Sequence, residues 1–384
     1  MTSISKVRAA ARNKAELVRL NNRTATTLLV LVVVLVVIGL GATQSASSAV
    51  AFDQTEDRLY FFKRQLMGVG IGTLALLATS RIPYGIYRRF AVPAYLGTVG
   101  LLVAVLMVGT EANGATRWLE LPVIGRFQPS ELAKVAVVFS LSFLLERKAK
   151  LLSRFGHFII PVAVTVGVIG LLVIRQPDLG TVIVIAAAAL AVIVASDTPM
   201  KFVLLLGLAA VLIAFFLAFS ESYRAARIDG FLDPFADPQG DGYQVVQGYY
   251  ALGNGGIFGV GLGASRARWF YLPNAHTDFI FAIIGEETGL IGGLTIIGLF
   301  VVLAITGWLV AARAPDPFGR MVAAGITVWL SFQALVNIGG VLGVVPITGI
   351  ALPFVSFGSS ALIVSMAALG VLVNIAQSGV QREP

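Results

Sequence analysis

The sequence predicts an all-α membrane protein, a polytopic transmembrane helical bundle of about ten spans with a long extracytoplasmic loop between spans 7 and 8. Two observations concern composition: hydrophobic residues make up 57% of the 384 positions and charged residues only 12%. Water-soluble domains of this length rarely show that balance. The third is arrangement, because the apolar residues form runs of about 18 or more that can cross a hydrocarbon core as helices.

Ten apolar runs supply the spans. They lie at residues 25–42, 62–80, 90–108, 130–146, 157–174, 180–195, 201–219, 279–309, 319–343 and 356–377. The first imitates a secretory signal, because basic residues precede it and the small-residue stretch Ser45–Ala51 follows. We expect it to be retained, since it is longer than a signal's apolar core and nine spans follow. Residues 25–377 then form one membrane domain, between a basic cytoplasmic tail at residues 1–24 and a short cytoplasmic tail at residues 378–384.

The distribution of Lys and Arg orients the bundle. With the amino terminus inside, the basic residues of the short loops fall on the cytoplasmic side, as the positive-inside rule requires. They are Arg81, Arg88, Arg89, Arg147, Lys148, Lys150, Arg154, Lys201, Arg313 and Arg320. Both termini are then cytoplasmic, and the outward loops are residues 44–61, 109–129, 175–179, 220–278 and 344–355. This topology accounts for the net charge of +8, and the absence of a basic patch interleaved with aromatics argues against nucleic acid as a partner.

Residue types exclude several kinds of site. The chain has no cysteine, which removes disulfides, thiolate nucleophiles and Cys-ligated metals. Its two histidines, His157 and His276, are too few for a histidine-rich metal centre. The outward loops hold much of the polar and conformationally special sequence, so we expect the functional site on that face.

The densest polar cluster is Leu272–Phe279, where the long loop enters the eighth span. Within it, Asp278 has two interpretations. It can cap the helix, because a carboxylate before an apolar helix accepts hydrogen bonds from the free backbone amides. It can also act as a general base at the membrane boundary, beside His276 and Thr277. The two roles are compatible.

Two glutamates and a lysine fall within the predicted spans. Glu286 and Glu287 lie two turns or more into the eighth span, where an ionised group is costly and needs a partner. Lys134, near the outer end of the fourth span, is a candidate, so we expect a compensated pair with one of these glutamates. The alternative partner is Glu131, one helical turn away.

Three further outward segments combine polar side chains with Gly or Pro, at residues 114–118, 175–181 and 352–360. One interpretation is that these segments are turns with helix caps, in which Asp178 and Thr181 cap the sixth span and Ser356 caps the tenth. Their convergence on one face also favours a binding site. The candidate substrate contacts are Arg117, Trp118, Lys134, Gln176, Asp178, Arg224, His276, Thr277, Ser356 and Ser359.

Four arginines face outward in this topology, namely Arg117, Arg175, Arg224 and Arg227. Guanidinium groups bind pyrophosphate readily, so these side chains are candidates to meet one. Some of them instead only extend to lipid headgroups.

The segment Gly259–Ala264 matches the G-x-G-x-x-A dinucleotide fingerprint. It lies in an outward loop without a βαβ unit, so we reject nucleotide binding. We expect these glycines to allow non-helical backbone to pack closely at membrane depth, where such chain must be buried in protein.

A series of motifs follows in order along the chain: Ser45-Ala-Ser47, Phe62–Gln65, Gly114–Leu119, Gln128–Lys134, Arg175–Thr181, Tyr223–Arg227, Asp233–Pro238, Gly242–Gln244, Leu272–Phe281, Gly285-Glu-Glu287 and Asn337-Ile-Gly339. Together they resemble the shape, elongation, division and sporulation (SEDS) family of FtsW and RodA over nearly the whole chain. Ser45–Ser47, the basic tail and the glycine before the glutamate pair are more similar to the division members. The departures are Asn274, where an acidic residue is expected, and Phe357-Gly-Ser in place of Tyr-Gly-Gly, which affect local loop contacts.

The resemblance implies a peptidoglycan glycosyltransferase of the bacterial cytoplasmic (inner) membrane. Such an enzyme adds the disaccharide of lipid II to a glycan strand on the outer face, with inversion, and releases undecaprenyl pyrophosphate. Asp278 matches the family's essential aspartate, which implies a base for the acceptor 4-hydroxyl.

The resemblance also implies partners. These are a class B penicillin-binding protein, which is a transpeptidase, and other membrane proteins of the divisome or elongasome. Cationic side chains or a divalent cation such as Mg²⁺ would stabilise the leaving group. The sequence holds no aspartate pair that dictates a metal site.

Two other classes of function compete with the polymerase. A lipid II flippase would use the intramembrane Glu and Lys for coupling or translocation, with Asp278 only as a cap, and would concentrate its functional groups at the bundle midplane. A scaffold that recruits division proteins without chemistry would leave the polar outer rim unexplained.

Cysteine labelling tests the topology, because the chain has no cysteine of its own. We expect a Gln239→Cys variant to react with a membrane-impermeant maleimide added from outside the cell. Lys150→Cys, in a predicted cytoplasmic loop, is the control and should react only after the membrane is opened. Labelling of position 239 from the cytoplasmic side alone would overturn the predicted orientation.

Overall fold

The computed structural model describes residues 2–83, 85–112, 115–121, 125–269 and 271–378, without the side chains of 2–18, 112 and 222–225. Its helices are α1 Thr2–Thr55, α2 Tyr60–Arg81, α3 Gly85–Val108, α4 Pro129–Arg147, α5 Phe155–Val162, α6 Val168–Ile174, α7 Leu179–Val194, α8 Met200–Ala218, α9 Ser222–Leu232, α10 Tyr243–Gly255, α11 Ile280–Ala312, α12 Pro317–Val341 and α13 Ser359–Ser378. A 3₁₀ turn, Ala149–Leu151, follows α4, and a π turn, Ala163–Gly167, joins α5 to α6. The predicted all-α class is confirmed.

All ten predicted spans are helical. Seven helical segments among the described residues have the length and hydropathy of a membrane span: Arg19–Thr55, Gly85–Val108, Phe155–Ile174, Met200–Ala218, Ile280–Ala312, Pro317–Val341 and Ser359–Ser378. The other three predicted spans correspond to α2, α4 and α7. Of these, α7 is apolar but short, with 16 residues, and α4 carries the buried charges of Glu131 and Lys134.

The loops predicted to face outward contain more structure than the sequence indicated. Residues 44–55 continue α1, and the long loop at 220–278 contains α9 and α10. Between α3 and α4, three short strands form an antiparallel sheet in the order β1-β2-β3: Thr110–Ala112, Ala115–Leu121 and Gly125–Phe127.

Helices α12 and α13 form the centre of the bundle. In the most apolar 18-residue stretch of each helix, 72% of the residues are buried in α12 and 83% in α13, compared with 6% in α8. Helix α2 packs along α13, and α12 packs against α4, α7 and α11. Helices with exposed apolar faces therefore surround two buried ones, as expected when the outer helices contact lipid.

Helix α11 is broken at Gly289, where φ is 68° and ψ is −165°. The segment after α10 lies against both sides of the break and supplies backbone partners. Four hydrogen bonds join them: Val260 N–H to Glu286 C=O, Gly261 N–H to Glu287 C=O, Leu290 N–H to Gly256 C=O, and Ile291 N–H to Ile257 C=O. The break therefore leaves these backbone groups paired, as buried backbone requires.

The approach of the two segments depends on glycine. Gly259 has φ 80°, and a Cβ at this position would overlap the carbonyl group of Glu287. The expectation that glycines here let non-helical backbone pack closely is confirmed for Gly259, whereas a Cβ at Gly261 would have no neighbour within 4 Å. The apolar side chains of Phe258 and Leu262 are 80% and 84% exposed, and Leu290, directly after the break, is also exposed.

The break lies after Glu286 and Glu287. Both precede it, in a part of α11 that other protein segments cover. Residues 290–312 alone extend about 34 Å at 1.5 Å per residue, which is enough to cross a hydrocarbon core of about 30 Å. The depth of the two glutamates in the membrane stays a prediction.

The connection between α12 and α13 folds back into the bundle. Phe354 and Val355 are 2% and 0% exposed, and they contact the middle of α1 at Gly39. A Cβ at Gly39 would lie 2.7 Å from the Phe354 carbonyl oxygen. The second half of the connection predicted at residues 344–355 is therefore buried among helices, and the side of the membrane from which it enters stays a prediction.

We predict that Gly259→Ala destabilises the protein by at least about 2 kcal/mol, because it adds left-handed strain and a steric clash. The measurement is thermal unfolding of the detergent-solubilised protein. Gly253→Ala is the control, since a Cβ at this helical position has no neighbour within 4 Å. Equal stability of the two variants would contradict the close packing at the α11 break.

Candidate active site

The predicted outward segments meet at one end of the bundle, around Asp278. This residue lies two positions before the start of α11, at the junction with the end of α12 and the α12–α13 connection. The sheet between α3 and α4 and the link between α6 and α7 reach the same end. The convergence expected from the sequence is therefore present.

Asp278 does not cap α11. The N-cap position is Phe279, and no side chain accepts a hydrogen bond there. The turn before the helix is closed by backbone instead: the carbonyl of Asn274, which has φ 53°, accepts from the amides of Thr277 and Asp278 at 3.0 and 3.1 Å. The helix-cap interpretation is wrong, so the Asp278 carboxylate is not used to terminate the helix.

The electrostatic surroundings of Asp278 suit proton transfer. Burial raises the pKa of its carboxyl from 3.8 to about 6, against the opposing charges of Arg227 and Arg117 and a hydrogen bond from Thr277. The negative charge of Asp178 raises this pKa further. A carboxyl group with a pKa near neutrality can both accept and release a proton under physiological conditions.

A small pocket borders Asp278. Its other walls come from α12, at Asn337 and Gly340, and from the α12–α13 connection at residues 347–350. Gly349 has φ 71°, and a Cβ there would lie 3.5 Å from Asp278 Oδ2 and 3.9 Å from Arg227 Nη1. The carboxylate and the guanidinium group therefore lie against the same glycine.

Two amide side chains hold this pocket together: Asn337, which was identified from the sequence only as part of a family motif, and Gln333, which was not. Asn337 Nδ2 donates to the carbonyls of Asp278 and Ile350, at 2.9 and 2.8 Å. Gln333 Nε2 donates to the carbonyl of Ala351 at 2.8 Å. Their spacing of four residues on an apolar helix places both on one face, which is the signal that could have identified them.

Arg117 is held by the link between α6 and α7. On β2, its Nε donates to the carbonyl of Gln176 at 2.9 Å, and its Nη2 donates to the carbonyl of Pro177. Trp118, the next residue on the strand, is half-buried. Arg117 is thereby fixed near Asp278, while a direct contact of either side chain with substrate stays a prediction.

Asp178 and Gln176 support this link. Asp178 Oδ1 accepts from the Thr181 amide at 3.2 Å, which confirms that Asp178 caps α7, and its Oδ2 accepts from Gln128 Nε2 at 3.0 Å. Gln176 is buried and donates to the carbonyl of Leu102 at 3.2 Å. Both side chains therefore have partners within the protein, and their predicted role in substrate binding stays untested.

His276 packs in an aromatic cluster behind Asp278. Its ring centroid lies 4.8 Å from that of Phe61 and 5.6 Å from that of Phe357. Burial lowers the pKa of His276 to about 4, so the imidazole is neutral at physiological pH. A charge on this histidine therefore does not contribute to anion binding.

Ser356 joins the α12–α13 connection to the Asp278 turn. Its Oγ donates to the carbonyl of Thr277 at 2.6 Å and accepts from the amide of Leu352 at 2.8 Å. Because α13 begins at Ser359, the expectation that Ser356 caps this helix is wrong. Ser359 Oγ donates to the Arg64 carbonyl at 3.3 Å, which links α13 to α2.

Lys134 pairs with Glu131. Its Nζ lies 2.7 Å from Glu131 Oε2, donates to Gln333 Oε1 at 2.9 Å, and sits 5.1 Å from the centroid of Trp329. The predicted pair with Glu286 or Glu287 is therefore wrong. The carboxylate one turn away on the same helix neutralises Lys134 instead.

The two glutamates bind two different neighbouring segments, Glu286 the segment after α10 and Glu287 helix α1. Glu286 Oε2 accepts from Ser265 Oγ at 2.5 Å and from the Ala267 amide at 3.2 Å. Glu287 Oε1 accepts from Ser45 Oγ on α1. Each carboxylate thus has hydrogen-bond donors in a neighbouring segment, which explains how it is tolerated in the interior without Lys134.

Two expectations concern groups that the structure does not place. The side chain of Arg224 lies outside the described residues, although its backbone is part of α9. Among the residues described, three or more His, Asp or Glu side chains that could hold a metal ion do not come together. A divalent cation such as Mg²⁺ in the reaction stays a prediction.

The sequence is similar to a family and to named proteins over most of its length. The family model FTSW_RODA_SPOVE, described as "Cell cycle protein", matches residues 25–381. The chain is 40% identical to "Probable peptidoglycan glycosyltransferase FtsW" of Geobacter sp. (strain M18), over 88% of this chain and 92% of that protein. It is 39% identical to "Stage V sporulation protein E" of Bacillus subtilis (strain 168), over 88% of this chain and 93% of that protein.

Solved structures show the same similarity. A chain from the structure reported as "Structural coordination of polymerization and crosslinking by a peptidoglycan synthase complex" aligns with a TM-score of 0.75 and 31% identity, over 91% of this chain and 97% of that one. The rod shape determining protein RodA of Thermus thermophilus aligns with a TM-score of 0.68 and 27% identity, over 91% of this chain and 96% of that one.

We predict that Lys134→Met lowers the free energy of unfolding by about 3–5 kcal/mol, because it leaves Glu131 buried without its cation. The double variant Lys134→Met/Glu131→Leu should lose less than the single one. Lys63→Met is the control, since its pair with Asp57 is exposed and should contribute no more than about 1 kcal/mol. Additive losses in a double-mutant cycle would show that Lys134 and Glu131 are not coupled.

Proposed function

Because this chain belongs to the FTSW_RODA_SPOVE family of cell cycle proteins, we propose that it is a peptidoglycan glycosyltransferase. It polymerises lipid II into glycan strands on the outer face of the bacterial cytoplasmic membrane and releases undecaprenyl pyrophosphate. The names of its relatives, among them a probable peptidoglycan glycosyltransferase FtsW, support this class of activity.

The single observation that carries the mechanism is the carboxylate of Asp278. It does not cap the helix, its pKa is raised to about 6, and it borders a pocket beside Arg227. In the proposed reaction, Asp278 takes the proton of the acceptor sugar's 4-hydroxyl as that oxygen attacks the donor's anomeric carbon. The bond from this carbon to the pyrophosphate breaks with inversion, and Asp278 then releases its proton to water.

Arginine side chains stabilise the leaving group in this proposal. Arg117 and Arg227 act electrostatically on Asp278, so their guanidinium groups are close to the place where negative charge develops. Arg117 is fixed by two backbone carbonyls, which lowers the cost of orienting it during the reaction. Arg224, on the same helix as Arg227, is a further candidate.

The biological setting follows from the relatives. We propose a role in cell division, since proteins named FtsW are among them, with elongation as the alternative because the chain also aligns with RodA. A class B penicillin-binding protein is the expected partner, supported by the likeness to a chain of a peptidoglycan synthase complex. With both termini in the cytoplasm, Asp278 faces outward, where the disaccharide of lipid II is accessible.

The flippase alternative loses its main support. It relied on intramembrane Glu and Lys groups available for coupling, yet Lys134 is paired with Glu131 and both glutamates of α11 accept hydrogen bonds. These contacts support structural roles for the charged groups.

We predict that Asp278→Asn lowers lipid II polymerisation at least about 10²-fold, the lower range for losing a general base. The protein should remain folded, since the Asp278 side chain does not cap the helix. Polymerisation is measured with the purified chain and its transpeptidase partner, and Asp237→Asn, an exposed carboxylate of the same loop, is the control. In the wild type, kcat/KM should fall about tenfold per pH unit below about 6, as Asp278 becomes protonated.

Near wild-type polymerisation by Asp278→Asn would refute the base assignment and favour the flippase. A pH profile that is flat through pH 6 would show that the titration of Asp278 does not control the reaction.

A further inference from the structure

Asn337 contributes a second polar group to the pocket beside Asp278. It lies near the end of α12 and is 5% exposed. Both hydrogens of its amide are used, because Nδ2 donates to the carbonyls of Asp278 and Ile350. The orientation of the amide is therefore fixed, since a flipped amide would place its oxygen against two carbonyl oxygens.

The remaining atom, Asn337 Oδ1, is a buried acceptor that has no hydrogen-bond partner among the described residues. Buried acceptors in folded proteins are nearly always paired, because an unpaired one retains its full desolvation cost. The pocket offers the place for a donor. Its cavity volume is about 10 Å³, enough for one water-sized group such as a single hydroxyl, and Gly349 in its wall has no side chain to supply that donor.

Two of the residues that line the pocket carry acceptor groups. The carboxylate of Asp278 and Oδ1 of Asn337 belong to residues that are directly hydrogen-bonded to each other, from Asn337 Nδ2 to the Asp278 carbonyl. Neither group can donate when Asp278 is ionised. A ligand with two neighbouring hydroxyl groups matches them, whereas an anion at the same position does not.

We propose that Asn337 Oδ1 accepts a hydrogen bond from the acceptor sugar, from the hydroxyl next to the one that loses its proton to Asp278. This assignment rests on the proposed glycosyltransferase function. In N-acetylglucosamine the neighbour of the 4-hydroxyl is the 3-hydroxyl. Asn337 therefore determines specificity for a vicinal diol and orients the sugar toward the base, while its Nδ2 positions the backbone of Asp278.

The test compares lipid II with an analogue whose N-acetylglucosamine lacks the 3-hydroxyl, each used as acceptor by the wild type and by Asn337→Ala. We expect the wild type to use the analogue about tenfold less well in kcat/KM, the loss typical of one hydrogen bond of about 1.4 kcal/mol. The variant should be slower with lipid II but should no longer distinguish the two acceptors. A purely structural role would slow both acceptors equally and preserve the discrimination, and that result would overturn the proposal.

Two further variants separate the acceptor atom from the amide clamp. Asn337→Asp keeps an acceptor oxygen and loses both donors, so it should be slow yet still discriminate against the analogue. Gln65→Ala is the matched control: Gln65 binds the other end of the same connection, through the carbonyl of Ser356 and the amide of Gly358, and does not line the pocket. It should retain the wild-type discrimination.

Binding distinguishes a failure of this proposal from a failure of the proposed function. The affinities of the wild type and Asn337→Ala for lipid II and for the analogue are measured without turnover. Wild-type protein that binds lipid II but forms no polymer would refute the glycosyltransferase function. Its affinities for lipid II and for the analogue without the 3-hydroxyl would still test the role of Asn337. Equal use and equal binding of both lipids by the wild type would refute the proposal without any variant.

Discussion

The structure depends on one constraint, which is that backbone polar groups buried in an apolar bundle must be hydrogen-bonded. Two of the places where the described chain departs from helix while buried are the break of α11 at Gly289 and the connection from α12 to α13. At the first, the segment after α10 supplies backbone donors and acceptors. At the second, the side-chain amides of Gln333 and Asn337 donate hydrogen bonds to the backbone carbonyls of Ala351 and Ile350.

The geometry of the candidate active site follows from how this constraint is met. Since Asn337 holds the carbonyl of Asp278 and Asn274 closes the turn before it, the position of Asp278 is set by its backbone. Its carboxylate is then available for chemistry. The same burial that demands these hydrogen bonds also desolvates the carboxyl group and raises its pKa. Support of the fold and activation of the base therefore have one physical origin.

Most charged side chains in the interior serve the fold. Lys134 and Glu131 form a buried pair that also binds Gln333, and Gln333 in turn holds the α12–α13 connection. Glu286 holds the backbone at residues 265–267, beside the broken helix. Removing the Lys134–Glu131 pair or the hydrogen bonds of Glu286 should make the pocket less rigid. These residues can therefore affect activity without contacting the substrate.

The sequence by itself determined the helices, the end of the bundle that carries the site, and Asp278 as the candidate base. A long apolar run indicates a segment that is buried in lipid or protein as a helix, and each predicted span corresponds to a helix. The family motifs identified Asp278 by its place in a continuous segment, and that identification needs no tertiary contact.

Only the tertiary structure decided which polar groups are partners. Lys134 could not be assigned to Glu131 over Glu287 from the sequence, because both are chemically suitable and the choice depends on how α4 and α11 pack. The roles of Asn337 and Gln333 were equally hidden, since their acceptors are backbone carbonyls, which every residue has. The sequence specifies the donors, but the fold alone places a particular carbonyl within 3 Å of them.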